Sequence, residues 1–140
     1  MTSPATPSFD SERAAAFAGR MLQTLNDGAL CLMLSIGHRT GLFDALRTLP
    51  PSTSAEIAAA ARLDERYVRE WLGATVTSGV VELEPASQRY ALPAEHAASL
   101  TRTAAADNVA VFAQYIAELG SVESDIVECF HRGGGVPYEK

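Results

Sequence analysis

Apolar residues recur with a helical period along most of this chain, and the longest such stretches lie near its two ends. Asp10 or Ser11 can cap a first helix, with Phe17, Met21 and Leu25 along one stripe. Asn26-Asp27-Gly28 interrupts the stripe, either as a kink or as the cap of a new helix. Leu30, Cys31, Leu32, Met33, Leu34 and Ile36 then form a run that is apolar on every side. Such a helix needs cover all round. In a small domain a second subunit can supply it, so Phe9–Ile36 is expected to form a helical dimer interface. Phe17, Met21, Leu25, Leu30, Met33 and Leu34 are its candidate residues. Gly37 to Gly41 is expected to break the helix. Leu42 to Leu46 reads as a short amphipathic turn, and Leu49-Pro50-Pro51 as a rigid connector.

The most sharply punctuated stretch is Thr53 to Leu92. Thr53 and Glu56 have the spacing of a capping box. Ile57, Ala60 and Ala61 make a short apolar stripe, and Arg62-Leu63 closes a turn. Asp64 caps a second helix in which Val68, Trp71, Leu72, Thr75 and Val76 share one face. Gly79 suits the left-handed position that ends it. Val80, Val81 and Leu83 read as a strand, Pro85 to Gln88 as a turn, and Arg89 to Leu92 as the return strand. Helix, turn, helix and hairpin in that order is a winged helix. The expected fold is mainly α: a winged helix-turn-helix with long N- and C-terminal helices and a small antiparallel β-hairpin wing.

Beyond the wing, Pro93 can open a helix over Ala94–Leu100, and Thr101 to Ala106 reads as a loop. Asn108 to Phe130 is a second long helical pattern, with Val109, Phe112, Ala113, Ile116, Leu119, Ile126, Val127 and Phe130 apolar and a break at Gly120-Ser121. The expected divisions are a tail over 1–8, dimerising helices over 9–50, the winged helix over 51–100, and a C-terminal helix and linker over 101–140.

Composition narrows the function. With 140 residues, 47% of them hydrophobic, the chain has one domain's length and can bury a core. Its net charge of −6 argues against a strong field for nucleic acid or an anionic membrane. Met1 to Ser8 has no features of a signal peptide. Ala29 to Ile36 is too short to span a bilayer. Cys31 and Cys129 lack metal-ligand spacing and read as buried, reduced thiols of a cytoplasmic protein.

A winged helix suggests DNA recognition through its second helix. Asp64 to Ser78, however, sets three acids against two arginines, and the hairpin sets Glu82 and Glu84 against Arg89. Phosphate contacts need a basic surface. Pairing of Arg66 with Glu70 and of Arg69 with Glu65 is the simpler use of those cations. Gly133 to Gly135 follow a helix and precede Val136-Pro137, the order of a linker rather than of a nucleotide fingerprint. His38, at a helix end, can serve the exposed carbonyls. No catalytic or metal-binding constellation can be drawn from the histidines, cysteines and serines.

Three stretches carry a resemblance: Asn26 to Leu46, Leu63 to Leu72, and Gly133-Gly134-Gly135-Val136-Pro137-Tyr138. They are similar to the N-terminal region of bacterial class I S-adenosylmethionine-dependent methyltransferases, which include small-molecule O-methyltransferases. The resemblance implies a winged-helix domain that no longer reads DNA, forms a homodimer, and helps roof the substrate pocket of a following Rossmann-like domain. It implies that the chain stops where that catalytic domain begins. It follows that the chain itself binds no cofactor, S-adenosylmethionine belonging to the full-length enzyme. Phe112, Tyr115, Phe130, His131 and Tyr138 lie near the implied domain junction and are the substrate-pocket candidates, with Phe112 and Phe130 also readable as helix core. The alternative is a winged-helix DNA-binding transcriptional regulator.

Overall fold

A computed structural model describes residues 8–137; Tyr138 and the first seven residues lie outside that range. The chain opens with α1, Ser11–Thr40, a helix of 30 residues and therefore roughly 45 Å long. The Asp10 carboxylate accepts from the Arg13 N–H at 3.0 Å and starts it. Gly41, with φ of 78°, takes the left-handed position that ends it. Neither expected interruption occurs. At Asn26-Asp27-Gly28 the Asp27 carboxylate accepts from the Gln23 side chain one turn back, at 2.8 Å, instead of capping a new helix. One helical glycine costs about 1 kcal/mol, too little to break so long a helix. Gly37 also stays helical, and its lack of a side chain is used for packing.

Helix α2, Leu42–Thr48, turns back under α1. Helix α3, Ser54–Ala61, begins with the expected capping box: the Thr53 hydroxyl accepts from the Glu56 N–H, and the Glu56 carboxylate accepts from the Thr53 N–H at 2.7 Å. Its buried stripe is Ile57 and Ala58 with Ala61 behind them; Ala60 faces solvent, one position off the expected pattern. Arg62 takes a left-handed conformation and turns the chain into α4, Glu65–Thr77, capped by Asp64 as expected. Val68, Trp71, Leu72 and Thr75 are buried along one face, and Gly79, at φ of 71°, follows the cap.

The wing is shorter than its apolar pattern suggests. Strands β1, Glu82–Glu84, and β2, Arg89–Ala91, pair antiparallel with Leu83 opposite Tyr90. Val80 and Val81 do not join them, because both donate their N–H groups to the Thr75 carbonyl and close the end of α4. Val81 drops into the core instead. Ser52 bridges the far side of Tyr90, exchanging both backbone hydrogen bonds with it.

Helix α5, Ala94–Leu100, follows Pro93. The expected loop after it is a 3-10 helix, Arg102–Asp107, tied to α1 and α2 through Arg102 and through the Arg47 guanidinium, which donates to the Thr103 hydroxyl. The Arg102 guanidinium donates to Asp44 on α2 and to the His38 carbonyl at the end of α1, while its own N–H donates to the other Asp44 oxygen at 2.8 Å. After a short turn at Val109–Val111 come α6, Gln114–Ser121, and α7, Glu123–Arg132. They break at Val122, next to the expected Gly120-Ser121.

The core lies where α1, α2, α3, α4 and α5 meet, around Phe43, Leu46, Ile57, Val68, Trp71 and Leu72. Trp71 meets Phe43 edge-on at 5.3 Å and donates its indole N–H to the Met33 carbonyl of α1 at 2.8 Å. That contact ties the winged helix to the long N-terminal helix. Cys31 and Cys129 are free thiols that are half-buried, not fully buried as expected.

The Glu56 carboxyl is held below its ordinary value of 4.5, first by the Thr53 backbone hydrogen bond, then by the Thr53 hydroxyl and by Arg89. A depressed carboxyl contributes stability that is complete above its unfolded value and is lost as pH falls through its folded one. The wild-type chain is therefore expected to lose more stability below pH 4.5 than Glu56→Gln does. Parallel acid titrations followed by circular dichroism check this; superimposable curves would contradict it.

Candidate functional site

The surface a winged helix would present to DNA is formed by α4 and the wing. On α4, Arg69 lies 3.8 Å from Glu65, as the i, i+4 spacing predicts. Glu65 also accepts from Ser54 on α3 at 2.7 Å. Arg66 is not placed against Glu70 as expected; its guanidinium lies over the Tyr67 ring, 5.9 Å from the centroid. On the wing, Arg89 is turned inward, bonded to the Pro51 carbonyl at 2.8 Å and to Glu56 at 3.1 Å. Arg69 and Arg89 are thus each paired with a carboxylate at the surface, Arg66 is exposed, and the hairpin tip, Pro85 to Gln88, carries no cation.

The large exposed apolar side chains lie mainly elsewhere. From Ser11 to Gly28, α1 runs with no buried residue as an arm beyond the core, and Phe17 (55% exposed), Leu22 and Leu25 (71%) face solvent on it. An uncovered helix of that length is marginal in water. Nearer the core, Leu30, Met33 and Leu34 are half-buried, and the last two pack against the core. The six expected interface residues therefore divide into a free outer set, Phe17, Met21 and Leu25, and an inner set already partly covered.

The second apolar face is on α6 and α7. Phe112, Tyr115, Ile116 and Leu119 line one side of α6 and the turn before it, all of them exposed. Phe112 and Tyr115 stand together, with ring centroids 6.4 Å apart. On α7, Ile126, Val127 and Phe130 are exposed, Phe130 by 87%. Reading Phe112 and Phe130 as helix core is thus wrong: α7 has little beneath it, and its apolar stripe faces outward. His131 is exposed at the end of α7, beside the Arg132–Glu128 pair at 2.9 Å. The structure brings Phe112 and Tyr115 together and leaves Phe130 and His131 on a separate helix.

Three features were missed at the level of sequence. Arg102 has no motif around it. Gly37 follows directly on the apolar run that ends at Ile36 and opens the Gly37 to Gly41 stretch that reads as a break, which hides its packing against Phe43 and Trp71. The third is a groove of about 620 Å³ between α1 and α4, lined by Gln23, Asn26, Leu30, Gly73, Ala74 and Thr77. Among the described residues no three His, Cys, Asp or Glu side chains gather as a metal site, and no helix is long and apolar enough to cross a membrane.

A family model for the Rv2258c-like winged HTH domain matches residues 28–102. No curated protein matches the chain. Solved structures share its fold. Human N-acetylserotonin methyltransferase in complex with SAM aligns at TM-score 0.52 and 23% identity over 69% of this chain and 28% of that one. PigF with SAH aligns at 0.58 and 20% over 86% and 34%. The S-adenosylmethionine-dependent methyltransferase SibL in its apo form aligns at 0.61 and 23% over 84% and 36%. The chain spans about a third of the length of these structures.

Proposed function

This chain belongs to the Rv2258c-like winged HTH domain family, and on that premise we propose that it is the N-terminal dimerisation and substrate-lid domain of an S-adenosylmethionine-dependent methyltransferase. One observation carries the reading: large apolar side chains are exposed on the α1 arm and on α6 and α7, whereas Arg69 and Arg89 are paired with Glu65 and Glu56 and the wing tip holds no cation. Contiguous exposed apolar surface marks association or ligand cover, and a DNA reader needs free cations.

In this reading α1 joins two copies, and Phe112, Tyr115, Phe130 and His131 face a small-molecule acceptor held by a separate Rossmann-like domain. Tyr138 belongs with them from its place in the sequence. In this reading cofactor binding falls to that domain. Free thiols at Cys31 and Cys129 suit the cytoplasm.

The test uses the polypeptide that carries this domain together with its catalytic domain. Deleting residues 8–137 is expected to leave S-adenosylmethionine affinity within about twofold and to raise the acceptor KM at least tenfold. An unchanged acceptor KM would remove the lid role. The second reading, a DNA-binding regulator, is favoured only by the shape of α3 and α4. It requires duplex binding that weakens steeply with salt, and no such binding is expected at physiological salt.

A further inference from the structure

A cleft of about 510 Å³ opens where α2, α5 and the 3-10 helix Arg102–Asp107 meet. Leu92 and Ala97 line it as a buried apolar floor, and Arg47 of α2 and Asp107 line it as exposed charges. A chain of hydroxyls holds Arg47 in place. The buried Thr101 hydroxyl donates to the Ala97 carbonyl at 2.8 Å, so toward Thr103, 3.0 Å away, it can only accept. The Thr103 hydroxyl gives its proton there, and its oxygen accepts from the Arg47 guanidinium. Arg69, Arg89, Arg102 and Arg132 each have a carboxylate partner; Arg47 has none among the described residues. Asp107 likewise makes no ion pair among them. The turn that presents Asp107 is strained at Ala105, whose φ of 52° and ψ of −115° suit glycine and few other residues. Such strain persists only where the surroundings impose it, and it gathers at ligand clamps.

We propose that this cleft binds a small zwitterion whose carboxylate meets Arg47, whose ammonium group meets Asp107 and whose apolar spacer covers Leu92 and Ala97. The two charges select against simpler occupants: a lone anion faces Asp107 as well as Arg47, and a lone amine faces Arg47 as well as Asp107. An α-amino acid carries both charges on one carbon and leaves the floor bare, so a spacer of several methylenes is needed to gain from covering it. A guanidinium already pinned by Thr103 still offers N–H donors to a carboxylate and has little side-chain freedom left to lose. Arg102, at the start of the same 3-10 helix, does not compete, because Asp44 and the His38 carbonyl occupy it. Charge pairs this exposed are weak, so millimolar affinity is expected and discrimination is the signature. The cleft shares no residue with the Phe112, Tyr115, Phe130 and His131 face and does not depend on the methyltransferase reading.

The probe is ε-aminocaproate, with caproate and hexylamine as its singly charged halves, titrated into the chain at low salt and followed by backbone amide shifts in NMR. The probe is expected to bind at least fivefold tighter than either half, with shifts at Arg47, Ala97, Thr103 and Asp107. Asp107→Asn removes no bond of the fold and is expected to bind caproate at least as tightly as the probe. Arg47→Gln is expected to reverse the preference, binding hexylamine at least as tightly as the probe. Arg47→Lys keeps the charge and is expected to retain part of the preference for the probe, which separates lost charge from a loosened Thr103. The proposal is overturned if the probe shifts none of these amides at millimolar concentration, or if it binds no better than its halves. An Asp107→Asn chain that ranks the three molecules as wild type does overturns it too, as do shifts that fall on α6 and α7 instead.

Discussion

Replacing Trp71 by alanine is expected to lower stability by about 3–5 kcal/mol, the range for deleting a large buried aromatic side chain. Trp71 is 4% exposed and sits where α1, α2 and α4 meet. It contributes apolar area, the edge contact to Phe43 at 5.3 Å, and the hydrogen bond to the Met33 carbonyl at 2.8 Å. Domains of this size are stable by only about 5–15 kcal/mol, so the variant loses a large share of the total. Trp71→Phe separates the contributions: it keeps an aromatic edge and loses the bond to α1, and should fall by about 1–2 kcal/mol. Urea unfolding followed by circular dichroism checks both. A Trp71→Ala midpoint close to wild type would mean that the α1–α4 junction is not what holds the domain together.

The second large effect comes from adding atoms. A methyl group at Gly37 would stand 2.6 Å from both Phe43 Cε2 and Trp71 Cζ2, closer than carbon atoms pack. In most exposed helices Gly→Ala stabilises, because alanine is the better helix former by about 1 kcal/mol. Here crowding should outweigh that gain and leave a net loss of about 2–3 kcal/mol. The sign therefore tests the packing directly. Phe43→Leu should recover part of the loss only in the Gly37→Ala background, a coupling that the double-mutant cycle reads out. A stabilised Gly37→Ala would show that α1 does not approach the rings so closely.

These two positions also show how far the sequence can be read. The elements of the winged helix were legible because each carries its own local signal. Thr53 and Glu56 form the capping box, Asp64 caps α4, Gly79 ends it, and the α4 stripe is buried as its period predicts. Long-range contacts leave no such mark. Two glycines within five residues make Gly37 to Gly41 read as a break, and only Phe43 and Trp71 explain why Gly37 is needed inside a helix. Val80 and Val81 have strong strand character and yet close α4, because the Thr75 carbonyl competes for their N–H groups. Arg102 organises three segments through bonds to partners about sixty residues away in sequence, a distance over which periodicity carries no information.

The apolar faces were legible in a different sense. Periodicity placed Phe17, Met21 and Leu25 on one side of α1 and Phe112, Ile116 and Leu119 on one side of α6, but it could not say what covers them. For Phe112 and Phe130 the natural assumption, that apolar stripes point to the core of their own chain, fails: Ala110 and Ala113 are the buried positions of that segment, and the two rings are exposed.

The central claim is that this winged helix serves as a platform for association and not as a reader of DNA. Its most direct test is the mass of the chain by light scattering at micromolar concentration, in a buffer of moderate ionic strength. The account predicts twice the chain mass of 14.9 kDa, whereas a particle of 14.9 kDa under those conditions would contradict it.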